Sequence, residues 1–272
     1  MGDGGTPGAC PYLGYGLRLQ REFIGPILRD EPDVDWLEVI SDNWIQASSM
    51  ELESLEQLSQ RLPLVLHGMS LGIGGAGPLD LDYLTRLKTL AERLRAPWVS
   101  DHLCHGPRRE GHALDLSPLP RTRASLAHLL PRIREAQQRL ERPLLLENIP
   151  QPAAAGAAEM DDWTFISEVA EGSDSLILLD LDNLYLSALA QRRDPMELLK
   201  RMPAERICQL HLGSRPDPGE LPEAENPVWR FFQSALALIA PVNTMLEPTN
   251  SLPPLSQLLE DLRDIQDLAA AA

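Results

Sequence analysis

The sequence predicts a single-domain α/β fold, a closed (β/α)8 TIM barrel spanning residues 1–272, and three observations carry that expectation. Eight short apolar runs alternate with helix-length segments along the whole chain. Most of these runs are continuous rather than alternating, as in LPLVLH, PLLLEN and LILLDL, which suits parallel strands buried on both faces. The length of 272 residues matches the ~250 such a barrel needs, and no shift in composition marks a second domain.

The expected strands are Gly14–Leu19, Asp35–Ile40, Leu62–His67, Pro97–Leu103, Pro143–Asn148, Leu176–Leu181, Ile207–Leu212 and Val242–Pro248. Between them, Glu51–Arg61 and Leu81–Arg95 carry leucines at three- and four-residue spacing, the period of a helix with one buried face. Arg121–Glu141 follows Pro118 and Pro120, whose rings favour a loop before the helix. Asp161–Glu171, Pro195–Arg201, Pro227–Ile239 and Pro254–Asp267 complete the set, three opening on a proline suited to a first helical turn. An open doubly wound sheet would place a glycine-rich phosphate loop after its first strand, and Gly14–Tyr15–Gly16 leads into no such helix. Long loops are expected at Cys104–Pro120, Ile149–Met160 and Gly213–Asn226, with a flexible N-terminus at 1–11 and a frayed end at 268–272.

Composition narrows the function. Asp and Glu total 40 against 24 Lys and Arg, and a net charge of −16 repels a phosphate backbone, which excludes nucleic acid as the expected partner. No apolar run is long enough to span a membrane, and the glycine-rich start is not a signal peptide, so cytoplasmic residence is expected. Cys10, Cys104 and Cys208 are an odd count without CxxC spacing, and read as free thiols in a reducing compartment.

The chemistry lies at the strand ends. Each strand closes on a polar residue: Arg18, Glu38, His67, His102, Glu147, Asp180 with Asp182, His211 and Glu247. That end of a barrel is the mouth where active sites form. Side chains two apart share a strand face, so these groups stand above an interior layer of Val65, Ser100, Leu145, Leu178, Gln209 and Met245. Glu147, Asp180 and Glu247 converging in a narrow barrel would be penalised without a counter-charge, and a multivalent cation is the simplest one. Three imidazoles and three carboxylates suit iron, manganese or zinc. A lone histidine or acid in such a place is more often a core hydrogen-bond partner or a helix cap; the convergence of six is what points to metal. By the same reasoning His105 and His112 could touch substrate, while His128 belongs to a solvated helix face. Spacing leaves two chemistries open, a two-metal hydrolase and an oxygen-activating iron site.

The stretches GYGLRL, DWLEVISDNW, LPLVLHGMSLGIG, VSDHLC, DLSPLP, RPLLLENIP, MDDWTFISEVA, LILLDLDNLYLSA, LHLG and NPVWRFF, in this order and spacing, run nearly end to end. With them the chain resembles the multinuclear non-heme iron oxidases, a bacterial family of barrel proteins that includes the methanobactin biosynthesis oxidase. The resemblance implies a cluster of two or three irons, held by His67, His102, Glu147, Asp180, His211 and Glu247, with Glu147 bridging. It implies catalytic work at Glu147, Asp180 and His211, dioxygen as co-substrate, a ribosomally made precursor peptide modified at cysteine, and a companion protein that binds the leader. Arg215, Arg18, Glu38 and Asn43 are the expected substrate-binding residues. The chain departs from the family pattern where an Asn-His-Gly becomes LAQRRDP, where an Asp-Thr-His becomes EAENP, and where HLAGH becomes HLGSR. These losses reduce the expected set to two irons, with Asp182 and Asn183 as peripheral candidates. A divalent-metal isomerase or hydrolase of the sugar-isomerase and endonuclease type is the competing expectation, and a non-catalytic metal-binding subunit the third.

Overall fold

The computed structural model describes residues 10–108, 115–150, 158–215, 226–239, 241–248 and 252–272. In chain order the elements are β1 (Tyr15–Arg18), α1 (Ile24–Asp30), β2 (Trp36–Ile40), α2 (Ser49–Ser59), β3 (Leu64–His67), α3 (Leu81–Leu94), β4 (Val99–His102), β5 (Pro107–Arg108), β6 (Asp115–Leu116), α4 (Arg123–Leu140), β7 (Leu144–Glu147), α5 (Asp162–Ser173), β8 (Leu176–Asp180), α6 (Leu181–Ala190), α7 (Pro195–Leu199), β9 (Ile207–Gly213), α8 (Pro227–Ile239), β10 (Asn243–Glu247) and α9 (Leu255–Ala270). Eight strands close a parallel barrel in the order β1-β10-β9-β8-β7-β4-β3-β2, while β5 and β6 form a small antiparallel hairpin in the loop after β4. The (β/α)8 barrel is therefore the fold.

Local chemistry starts the helices where the alternation needs them. Ser48 and Glu51 form a reciprocal capping box on α2, and Asp80, Thr122 and Asp161 each accept a backbone N–H at the start of α3, α4 and α5. At the other ends Arg95, Glu141 and Asp174 take the left-handed conformation that stops a helix and turns the chain toward the next strand. Apolar burial divides into two layers. Trp36, Val65, Trp98, Leu145, Leu176, Leu178, Cys208 and Met245 plug the barrel, and a larger cluster packs the helices on its outside.

Two helices went unread in the sequence, α1 and α6. In LILLDLDNLYLSALA the apolar run passes straight from strand to helix, so hydrophobicity shows no boundary. The change occurs at Asp180, which ends β8 and accepts the Asn183 N–H at 2.7 Å to cap α6. At the C-terminus α9 runs to Ala270, further than the fraying expected from residue 268. The N-terminal expectation lies mostly outside the described residues; within them Pro11 is held, its carbonyl accepting from Asn243 Nδ2 at 3.1 Å.

The cysteines correct an expectation. Cys10 and Cys208 are paired as a disulfide with Cα atoms 5.8 Å apart, leaving Cys104 as a buried free thiol. A pairing across 198 residues leaves no trace in local spacing, which is why an odd count misled. The β8–β9 register explains how Cys208 reaches inward. Ile177 pairs with Ile207 and Leu178 with Gln209, so Cys208 is the extra residue of a bulge.

Candidate metal centre

The barrel brings the strand-end groups together at its C-terminal mouth. His67 from β3, His102 from β4, Glu147 from β7 and His211 from β9 are all buried, and Glu38 from β2 is fully enclosed beneath them. Three groups of ligand atoms each lie within 4.8 Å of one another: Glu38 with His67 and His211, His67 with His102 and Glu147, and Glu147 with Asp180 and His211. His67 and His211 each belong to two groups, as does Glu147, so the groups form one continuous cluster.

Glu147 sits at its centre and divides its oxygens. Oε2 lies 3.3 Å from His67 Nε2 and 3.2 Å from His102 Nε2, with no hydrogen bond made. Oε1 lies 3.0 Å from His211 Nδ1. Ser100 explains the first arrangement. Its hydroxyl donates to the Leu66 carbonyl at 3.3 Å, so its oxygen accepts from His67 Nδ1 at 2.9 Å. The Nε2 of His67 is then a lone pair facing a carboxylate oxygen. Burial drives the His67 pKa down to about 3, against the pull of Glu147 and Glu38, which keeps the ring neutral. Two buried acceptors facing each other across so short a gap call for a cation between them. The Oε1 of Glu38 and the Nδ1 of His102 are likewise buried without a hydrogen bond. The donor set therefore fits metal ions.

Electrostatics at the rim agree. Burial and the neighbouring charges of Glu147 and Asp182 push Asp180 well above the ordinary carboxylate range, and burial raises Asp182 and Glu247 as well. Arg18 offsets part of the rise at Glu247. Asp180, Asp182, His211 and Glu247 border an opening of about 150 Å³ above the cluster.

The remaining expected residues are distributed differently from the sequence reading. Glu38, expected to meet substrate, is instead part of the cluster's floor, with Oε2 2.9 Å from His211 Nε2. Arg18, also expected at substrate, pairs with Glu247 and lies 3.9 Å from Glu38, neutralising acids within the barrel. Glu247, expected as a ligand, joins none of the three groups; its Oε2 is 3.5 Å from His211 Nδ1 while Oε1 faces Arg18. Asp182 accepts the Gly213 N–H at 2.7 Å, and Asn183 donates to the Asn148 carbonyl at 3.1 Å, so both act as braces around Asp180. Arg215 pairs with Asp264 and Asp261 and lies over the Trp229 ring, which leaves its guanidinium committed within the fold. Asn43 is exposed and borders a cleft of roughly 820 Å³, with His105 and Tyr83 on other walls. His128 is exposed as expected, though its Nε2 meets the Gly75 carbonyl at 3.0 Å. His112 lies outside the described residues.

Sequence reasoning gave no role to four supporting residues, Ser100, Asp101, Gln209 and Trp98, although it placed Ser100 and Gln209 in the interior layer. Ser100 orients His67, and Asp101 accepts the backbone N–H groups of His102 and Leu71 at 2.7 and 3.0 Å. Gln209 and Trp98 lie below Glu38. A glutamine inside the apolar run ICQLHLG was the available signal for the third.

Residues 14–270 match the family model MbnB/TglH/ChrH, described as RiPP precursor modification enzymes. A UPF0276 protein of Anaeromyxobacter sp. strain Fw109-5 is 39% identical over 269 residues, covering 96% of this chain and 94% of that one. A UPF0276 protein of Caulobacter vibrioides strain NA1000 is 36% identical over 259 residues, with coverage of 93% and 92%. Among solved structures, D-psicose 3-epimerase from Clostridium cellulolyticum H10 superposes with a TM-score of 0.66 at 12% identity, covering 95% of this chain and 98% of the epimerase. Endonuclease IV from Thermus thermophilus gives 0.61 at 18% identity, with coverage of 95% and 100%. At such identities these two likenesses concern the fold alone. Among the described residues no helix is long and apolar enough to cross a membrane.

Proposed function

Because the chain belongs to the MbnB/TglH/ChrH family of RiPP precursor modification enzymes, we propose that it is an iron-dependent, dioxygen-using oxidase that modifies a ribosomally made precursor peptide at cysteine. The observation that carries the metal-dependent part is the divided Glu147 carboxylate, one oxygen toward His67 and His102 and the other toward His211. Such a carboxylate suits a bridge between two ions. Iron, dioxygen and cysteine come from the resemblance and the donor chemistry, since mixed imidazole and carboxylate ligation suits iron that must keep positions open. A companion protein that presents the leader belongs to the same proposal.

In this reading His67, His102 and Glu147 hold one ion and Glu147, Asp180 and His211 the other, with Glu38 below His67 and His211 as a further donor. Bound iron would supply the electrons for reducing dioxygen and an open position for the substrate thiolate. The chain supplies everything else. Ser100 keeps the metal-facing nitrogen of His67 free of its proton. Arg18 pairs with one oxygen of Glu247 and leaves the other 3.5 Å from His211 Nδ1. The packed layer of Val65, Leu145, Leu178 and Met245 closes the barrel below and excludes water from that side. Asp182 accepts the Gly213 N–H beside the opening and braces the strand end that carries Asp180.

Elemental analysis of anaerobically purified protein, followed by dioxygen consumption with a cysteine-containing precursor peptide, tests the proposal. Bound iron with peptide-dependent oxygen uptake is expected. Turnover restored by Mg²⁺ or Zn²⁺ without dioxygen would replace the oxidase with the isomerase or hydrolase reading.

A further inference from the structure

Gln209 is a buried primary amide in the layer that plugs the barrel. The bulge at Cys208 turns two consecutive β9 residues inward, and Gln209 is the second, fully excluded from solvent. An amide buried there without partners would be destabilising, so its partners report its role. Trp98 Nε1 donates to Gln209 Oε1 at 2.8 Å. An indole N–H can only donate, so the amide oxygen must face Trp98 and the NH2 must face upward. There Nε2 donates to Glu38 Oε2 at 2.6 Å and lies 3.0 Å from His211 Nε2. Glu38 Oε1 is left buried and without a hydrogen bond, 3.9 Å from an Arg18 guanidinium nitrogen, and Glu38 shares one of the three ligand groups with His67 and His211.

We propose that Gln209, oriented by Trp98, is a positioning residue that turns the free Oε1 of Glu38 and the ring of His211 toward one metal position. This rests on the metal-dependent reading above. The amide ties down one carboxylate oxygen, so only the other is available to a cation. The held oxygen also lies 2.9 Å from His211 Nε2, so fixing the carboxylate fixes the height of the imidazole that donates to it. Trp98 acts one step further away. Without its donor the amide could rotate by half a turn, set its oxygen against Glu38 and repel the carboxylate it now holds.

The test titrates metal-free protein with Fe²⁺ and Co²⁺ under anaerobic conditions, comparing wild type, Gln209→Leu, Trp98→Phe and the double variant. Removing such an outer partner typically weakens metal binding by about 10–100-fold. Gln209→Leu is expected to weaken one bound ion by that factor, leave the other near wild type, and shift the visible bands of the Co²⁺ protein. Trp98→Phe is expected to act in the same direction, and the double variant to show no loss beyond Gln209→Leu, because both changes remove one function. Wild-type affinity and an unchanged Co²⁺ spectrum in Gln209→Leu would overturn the inference while leaving the metal centre intact. Additive losses in the double variant, with both ions weakened equally, would also overturn it by showing general loosening of the barrel. Should Gln209→Leu not fold, Trp98→Phe carries the same comparison. A wild-type protein that binds neither ion removes the metal centre and this inference together.

Discussion

Glu147 Oε1 lies 3.0 Å from His211 Nδ1, and that contact joins the two halves of the cluster across the barrel. The same carboxylate faces His67 and His102 with its second oxygen. Glu147→Ala should therefore abolish binding of at least one ion and weaken the other, whereas Arg215→Ala, which loses pairs to Asp261 and Asp264, should keep wild-type metal content. Elemental analysis of the two proteins decides this; equal metal content would show that Glu147 does not bridge.

His128→Ala offers a check on the barrel's orientation. Its ring meets the Gly75 carbonyl between β3 and α3, and it joins none of the three ligand groups. Metal content should be unchanged, with a stability loss of about 0.5–1.5 kcal/mol for one exchanged hydrogen bond. A large loss of metal would contradict the placement of α4.

Gly68 follows His67 of the candidate metal centre, and a Cβ built there would come within 2.5 Å of Asp101 Oδ2 and 3.1 Å of the Tyr83 hydroxyl. Asp101 in turn anchors the Leu71 and His102 backbones. Gly68→Ala should destabilise the protein by ~1–3 kcal/mol, as overpacking does, and lower metal occupancy. Gly25→Ala, where nothing lies within 4 Å, should be neutral or slightly stabilising. Denaturant unfolding with metal analysis compares the pair.

Cys10 and Cys208 close the foot of the barrel, where Asn243 also grips Leu13, Pro11 and Cys208 through their backbones. Alkylation of denatured, unreduced protein should label Cys104 alone, and all three cysteines after reduction. Cys208→Ser should lower stability by about 2–4 kcal/mol. Labelling of three thiols before reduction would show the pair to be open.

Arg21 and Ser48 hold the Glu51 carboxyl at about 2, below its ordinary 4.5, with the Arg21 hydrogen bond the largest influence. A depressed folded value stabilises above the unfolded value and is lost as pH falls through the folded one. The capping box should thus contribute fully above 4.5 and fade as pH falls toward about 2. Glu51→Gln should lower Tm slightly at about pH 7, and the difference should vanish by about pH 2. A difference that persists in acid would mean that the charge does not carry the cap.

Legibility from sequence followed the range of the interactions. Strand ends such as His67, His102 and His211 stood out because a polar residue closing an apolar run is a local signal. The roles of Glu38 and Glu247 were not distinguishable that way. Both read as glutamates closing a strand, yet Glu38 is the middle residue of β2, level with Val65 and next to His211, while Glu247 ends β10 and pairs with Arg18.

By itself, the sequence determined the alternation of eight strands with helices and the inward parity of their polar ends, because periodicity and burial act over a few neighbouring residues. Only the tertiary structure decided which acids join the histidine groups and which one pairs closely with arginine. It also decided that Cys10 meets Cys208, and that Trp98 orients Gln209 across 111 residues of chain. Those choices depend on the stagger of strands around a closed barrel and on one bulge in β9, and a shift of a single residue there would exchange inward for outward.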